Sequence, residues 1–200
     1  MKPKPARLST ADYLDQDANS PLKREFVDGE VYAMAGASRQ HNLLVTNLVW
    51  RAREATKSQA GCQVFAADMK VQVAARNSFY YPDVAGCCDP EDRDERFLTR
   101  PCFIIEVLSP STASIDRREK RAAYATLKSL QDYLIVNQSR MIVEIYRRAG
   151  DTWLASVATE PEDVVEISCL DLRLSLKEIY DGVDLSLGVA EPESPEYVFV

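Results

Sequence analysis

The sequence predicts an α/β fold: a mixed central β-sheet flanked by helices, with at least one helical crossover and an N-terminal β-hairpin. Three observations predict it. Asp28-Gly29 stands between two short apolar runs, a strong hairpin signal. The segments from Phe79 to Cys88 and from Cys102 to Leu108 are nearly continuous in apolar residues, as in strands covered on both faces. Helical spacing of apolar residues recurs after Ser38 and again after Ser114. Two hundred residues, 46% of them hydrophobic, suit one domain over 1–200, with flexible tails at 1–8 and 190–200.

Each element has its own signal. Ser9 or Thr10 caps a short helix through Asp15. Glu25-Phe26-Val27 and Val31 to Met34 form the hairpin. Ser38 caps a helix to about Lys57, with Leu44, Leu48 and Arg51 near one face and Val45, Val49 and Ala52 beside them; Gly61 ends it. A strand with imperfect alternation runs from Val64 to Val73, followed by the two apolar strands. The charged stretch from Asp89 to Arg100 reads as an exposed loop. Ser109-Pro110-Ser111-Thr112 closes the third strand as turn and cap residues, and a helix follows from Thr112 or Ser114 to about Ser129, with Ala122, Ala123, Leu127 and Leu130 on or near its buried side. Asp132 to Val136, Met141 to Arg147 and Trp153 to Ala158 are strands, and Leu176 to Tyr180 is a short helix.

Composition narrows the function. Thirty-one acids against twenty-four bases give a net charge of −7, so the global field does not favour generic adhesion to nucleic acid or anionic membranes. The five cysteines form no C-x-x-C pair and mostly lie in apolar runs, which suggests reduced thiols in a cytoplasmic protein. One histidine gives little support to a His/Cys zinc cage. No stretch is apolar for long enough to span a bilayer, and the N-terminus lacks the apolar core of a secretory signal.

Two carboxylates stand out. Asp83 follows Pro82 inside one apolar run, and Glu106 sits near the end of the next, in FIIEVLS. Burying an unpaired carboxylate is expensive, so two such exceptions on consecutive strands suggest a shared cation. If the strands are neighbours, both acids converge, and the Val107 carbonyl is a natural third oxygen ligand for Mg (or Mn). Such an ion stabilises a pentacovalent phosphate and acidifies a bound water. A lysine would add positive charge, and Lys120, on the following helix, is in reach if that helix packs back on the sheet.

The stretches REFVDGEVYAMAGAS, YYPDV, IIEVLSPST and DYLIVNQSRMIVEIYRR, with His41, Tyr124 and the D-x-x-x-K of Asp116 and Lys120, resemble the Uma-two family of endonucleases, over about residues 9–180. The resemblance implies a restriction-endonuclease-like core of the superfamily whose signature is PD followed by (D/E)-x-K. It implies that Asp83 and Glu106 bind metal. Lys120 matches a catalytic lysine moved from strand to helix, since Leu108 fills the superfamily's usual lysine position. Glu25 matches the family's early glutamate. A homodimer acting on DNA is implied as well.

Blander roles compete at several positions. Asp83 alone suggests a turn cap, Glu25 a surface pair with Lys23 or Arg24, and Lys120 a solvated residue among Arg117, Arg118 and Arg121. His41 reads first as a hydrogen-bonded structural residue, Asp68 as a weak site candidate breaking its strand pattern, and Tyr124 as packing. Asp83→Ala is expected to leave the fold intact, or firmer, by relieving repulsion. The leading functional expectation is a metal-dependent endonuclease acting on DNA. Its rivals are a non-catalytic nucleic-acid- or protein-binding module that keeps the fold, and a hydrolase of small phosphorylated substrates. Arg117, Arg118, Lys120 and Arg121, with Arg93, Arg96 and Arg100 of the loop, are the local basic groups a nucleic-acid track would need.

Overall fold

The computed structural model describes residues 7–34, 36–108 and 116–187. Chain order begins with α1 (Thr10–Ala18), the hairpin β1 (Arg24–Val27) and β2 (Glu30–Ala33), and α2 (Arg39–Ala55). Then come β3 (Gln63–Ala66), β4 (Lys70–Val73), β5 (Ser78–Tyr80), β6 (Val84–Cys87), β7 (Phe97–Leu98) and β8 (Phe103–Leu108). A π-helical turn, Asp116–Lys120, runs into α3 (Arg121–Tyr124). The chain continues as β9 (Asp132–Asn137), β10 (Val143–Ala149), β11 (Thr152–Ala158), β12 (Val164–Ile167), β13 (Leu172–Ser175) and α4 (Leu176–Ile179).

The main sheet has the order β11-β10-β9-β8-β6-β3. Its β8–β9 pair is parallel, so the turn and α3 between them form the expected helical crossover; the other pairs in this sheet are antiparallel. All six residues of β8 and all six of β9 are buried. On one face Phe103, Ile105, Val107, Leu134 and Val136 pack against Leu44, Leu48 and Ala52 of α2 and against β12, β13 and α4. On the other, Ile104, Leu108, Tyr133 and Ile135 meet α3 and the second sheet. That sheet has the order β2-β1-β5-β4-β7, and α1 covers it through Tyr13 stacked on Phe26 with centroids 4.9 Å apart.

The hairpin and α2 follow their sequence signals closely. Asp28 and Gly29 take φ values of 46° and 90°, the pattern of a tight turn that glycine accommodates readily. The Ser38 hydroxyl accepts the His41 amide at 3.1 Å and caps α2.

Other expectations are corrected. The strand Val64–Val73 is two strands in different sheets, and so is Phe79–Cys88. Both break at the same level, at residues 67–69 and 81–83, because β3/β6 and β4/β5 together make one bent antiparallel ribbon. Ala67 adopts φ 31°, Pro82 lacks an amide to donate, and the register shifts by one residue across the bend, as in a bulge. The charged loop hides a buried strand, Phe97–Leu98, because Asp92 accepts the amides of Thr99 and Arg100 and folds the segment back. The helix expected to reach Ser129 stops at Tyr124, where turns begin and the Arg148 guanidinium donates to the carbonyls of Ala125, Leu127 and Leu130. Its predicted cap, and Ser109, Ser111 and Thr112, lie outside the described residues, as do residues 1–6 of the first tail and all of 190–200. The cysteines are not all reduced: Cys62 is bonded to Cys88 and Cys102 to Cys169, and Cys87 is free.

Candidate active site

The bend of the ribbon and the end of β8 meet, and four charged side chains gather there. Val84 pairs with Ile105, so one step further along the antiparallel register Asp83 stands opposite Glu106. Along β8, Glu106 alternates with Ile105 and Val107 and shares the face of Ile104 and Leu108, towards α3. The helical turn places Lys120 over that face.

Lys120 is 5% exposed, which excludes a solvated helix position. Its ammonium lies 2.9 Å from Glu25 Oε1 and 3.2 Å from Glu106 Oε1. Tyr124, one helical turn later, donates its hydroxyl to the same Glu106 oxygen at 2.9 Å. Burial, with Glu106 and Glu25 nearby, raises the Tyr124 phenol well above its ordinary value, so it remains a neutral donor. Tyr124 is thus more than packing. Its signals in the sequence are the four-residue spacing from Lys120 and its place in the family resemblance.

Glu25 is held from two sides. Its Oε1 accepts the Tyr81 amide at 3.1 Å, in the bend, besides the Lys120 ammonium. The Tyr81 hydroxyl donates to Asp17 Oδ2 at 2.7 Å, and Lys70 donates to the same oxygen at 2.8 Å. A buried network from α1 therefore fixes the residue whose amide orients Glu25, and its side chain is not paired with Lys23 or Arg24 on the surface.

Asp83 Oδ2 accepts the Val107 amide at 2.7 Å, and Oδ1 lies 3.0 Å from His41 Nε2. Both partners position the carboxylate, so His41 has the hydrogen-bonded role expected first. The firmer fold expected of Asp83→Ala is not what these contacts support. The Val107 amide faces the β6 side of β8, and a strand residue's carbonyl points to the same side as its amide. The Val107 carbonyl is therefore directed towards Asp83 rather than into the β9 ladder.

Asp68 is not brought to this cluster. It breaks its strand pattern because it sits in the bend, where its side chain is 82% exposed and paired with Lys23. The loop arginines are also elsewhere. The loop leaves the end of β6 and returns to the start of β8, away from Asp83 and Glu106, and in between its β7 forms the edge of the second sheet beside β4, three strands from Glu25. There Arg96 pairs with Asp94 and Arg100 with Asp89 and Glu91. Arg118 and Arg121 are exposed beside Lys120.

The donor set fits a hard divalent cation. Asp83, Glu106 and Glu25 bring three carboxyl groups to a cluster with one lysine, Lys120, which contacts Glu25 and Glu106. Each Asp83 oxygen accepts one hydrogen bond and has a further lone pair for a ligand bond. Oxygen donors of this kind suit magnesium or manganese.

Comparison with known proteins identifies the family. A family model, Uma2, described as "Putative restriction endonuclease", matches residues 10–177. The Synechocystis sp. protein slr1290, an uncharacterized protein, is 33% identical over 180 residues, 88% of this chain and 93% of its own length. A second Synechocystis sp. protein, sll1609, also uncharacterized, is 33% identical over 169 residues, 82% of this chain and 95% of its own. A crystal structure titled as "a putative nuclease belonging to DUF820", from Anabaena variabilis, superposes with a TM-score of 0.67 over 84% of this chain and 96% of that one. At 20% identity that likeness shows the fold alone. Among the described residues no helix is long and apolar enough to cross a membrane.

Proposed function

The chain belongs to the Uma2 family, and on that premise we propose that it is a metal-dependent endonuclease hydrolysing phosphodiester bonds in DNA. The observation that carries the reading is Lys120: a buried ammonium held between Glu25 and Glu106, beside the strand end that sets Asp83 opposite Glu106. Asp83, Glu106 and the Val107 carbonyl would hold one magnesium (or manganese) ion. When bound, that ion supplies Lewis-acid stabilisation of the phosphorane and a more acidic water.

The chain's own groups do the rest. Lys120 donates to the attacking water or to a scissile phosphate oxygen, where its charge offsets the charge that develops in the transition state. Glu25 anchors Lys120 and is a proton acceptor for that water. Tyr124 keeps Glu106 oriented by donating to the oxygen Lys120 also contacts. His41 and the Val107 amide hold Asp83 at the bend.

Nicking of supercoiled plasmid with magnesium or manganese tests this. Lys120→Ala is expected to lose cleavage by on the order of 10²-fold. Lys120→Arg keeps a cation between the carboxylates, and hence the fold, yet rescues poorly, because a planar guanidinium does not replace a compact ammonium. Equal metal-dependent rates in wild type and both variants would overturn the assignment. Single-stranded DNA, RNA and nucleotides as alternative substrates define the class. The net charge of −7 and the engagement of Arg96 and Arg100 within their own loop favour a second reading, a non-catalytic binding module. Binding of DNA without cleavage under every metal condition would establish it.

A further inference from the structure

At the other end of the same strands four cysteines from four separate segments come together. Cys62 precedes β3 and stands opposite Cys88, one step beyond the Gln63–Cys87 pair. Cys102 precedes β8, its amide bonded to the Gly86 carbonyl at 2.7 Å. Cys169 lies in the 3-10 turn Ser168–Leu170, which the buried Asp132 carboxylate anchors through the Ser168 amide at 2.7 Å. The sulfurs of Cys88, Cys102 and Cys169 are all within 4.8 Å of one another, and Cys62 is bonded to Cys88. Cys88 and Cys102, which belong to different disulfides, are 3.7 Å apart at sulfur.

We propose that the reduced protein binds one thiophilic divalent cation, zinc by its chemistry, through Cys62, Cys88, Cys102 and Cys169. Zinc–sulfur bonds of about 2.3 Å in a tetrahedron set the sulfurs about 3.8 Å apart. The Cys88–Cys102 separation already has that value; Cys169, bonded to Cys102, keeps its sulfur within 4.8 Å of Cys88, and Cys62 reaches the group through its bond to Cys88. Closing the site needs both disulfides reduced, so that each bonded pair of sulfurs can separate, and the Cys62 side chain turned towards the other three. With a phosphine reductant, each disulfide and one water give two thiols and a phosphine oxide. The cation then takes the place of the thiol protons, which leave to solvent as thiolates form.

The two ends of the sheet differ in hardness as ligands. Carboxylates and a carbonyl select magnesium, and four thiolates select zinc. Asp83 and Cys88 flank the four residues of β6, about 16 Å apart at strand rise, so the two ions would not share ligands. Cys87 is not part of the set. It faces the opposite side of β6, lies near the Asp89 and Arg100 carbonyls, and burial pushes its thiol up to about 11.

Cobalt titration of the full chain, reduced with a phosphine and freed of metal under anaerobic conditions, is the test. The expected result is thiolate-to-cobalt charge transfer and the visible bands of a tetrahedral tetrathiolate site, both saturating at one equivalent and abolished by zinc; cobalt held by carboxylates gives neither. Cys102→Ser and Cys169→Ser shift the visible bands to shorter wavelength and weaken the charge-transfer band, whereas Cys87→Ser and Asp83→Asn leave the spectrum unchanged. If a serine variant does not fold, the wild-type spectrum and stoichiometry decide. Absence of charge transfer in the folded, reduced wild type would overturn the proposal. So would loss of the spectrum in Cys87→Ser, or disulfides that resist reduction until the chain unfolds. None of these readouts depends on nuclease activity.

Discussion

At the scale of residues, the hydrogen bonds around the carboxylates set what each substitution does. Tyr124→Phe removes one donor from a buried carboxylate and is expected to cost about 1.5–3 kcal/mol in urea unfolding. Asp83→Ala leaves the Val107 amide and the His41 ring without their partner, so a loss of about 1–3 kcal/mol is expected, with unchanged stability as the contrary result. Burial raises the Tyr80 phenol from 10.0 to about 12, so in that window the folded chain retains a proton that the unfolded chain has lost. Its contribution is complete below pH 10.0 and disappears as pH rises through about 12. Unfolding free energy should fall over this range, and less steeply in Tyr80→Phe. The residues that sequence logic could name were those with an unfavourable placement to explain. Asp83 and Glu106 were visible because apolar strands rarely carry acids. Lys120 needed the family resemblance, since an isolated lysine among arginines gives no sign of burial. Tyr124 escaped because a buried tyrosine that packs and one that also donates look alike in sequence.

At the scale of elements, β6 and β8 are pressed together. A Cβ on Gly86 would collide with the ring of Phe103, its partner across the ladder. Gly86→Ala is expected to destabilise by about 1–3 kcal/mol through overpacking, and Phe103→Leu in the same chain should recover part of that loss. Thermal melting of the two variants checks this pairing. Arg148→Met removes the donors to three carbonyls that close the segment after α3 and should raise amide exchange there before it changes global stability. Elements with local punctuation were legible: the Asp28-Gly29 turn and the Ser38 cap carry their own geometry. The broken strands were not, because alternation reports which face a residue takes and says nothing about which sheet it joins. β7 was hidden because two apolar residues among charges resemble a loop until Asp92 is seen to fold it back.

At the scale of the whole molecule, the −7 charge limits how nucleic acid is held. Among the described side chains, Arg118 and Arg121 are the exposed cations flanking Lys120 on its helix, and each phosphate contacted lowers the log–log salt slope by about 0.9. A slope of about −2 in DNA-binding titrations is expected, and one steeper than about −5 would require a basic track these two residues do not supply. The bent ribbon has a mechanical consequence. It is a single antiparallel ribbon belonging to both sheets, and the charged cluster sits at its crease, with Glu25 on one sheet, Glu106 on the other and Lys120 linking them. If the sheets tilt against each other, the crease is the fulcrum. Atoms on a fulcrum travel least, while the outer strands, at the ends of their lever arms, travel most. In such a tilt the periphery would swing while the residues at the crease keep their spacing.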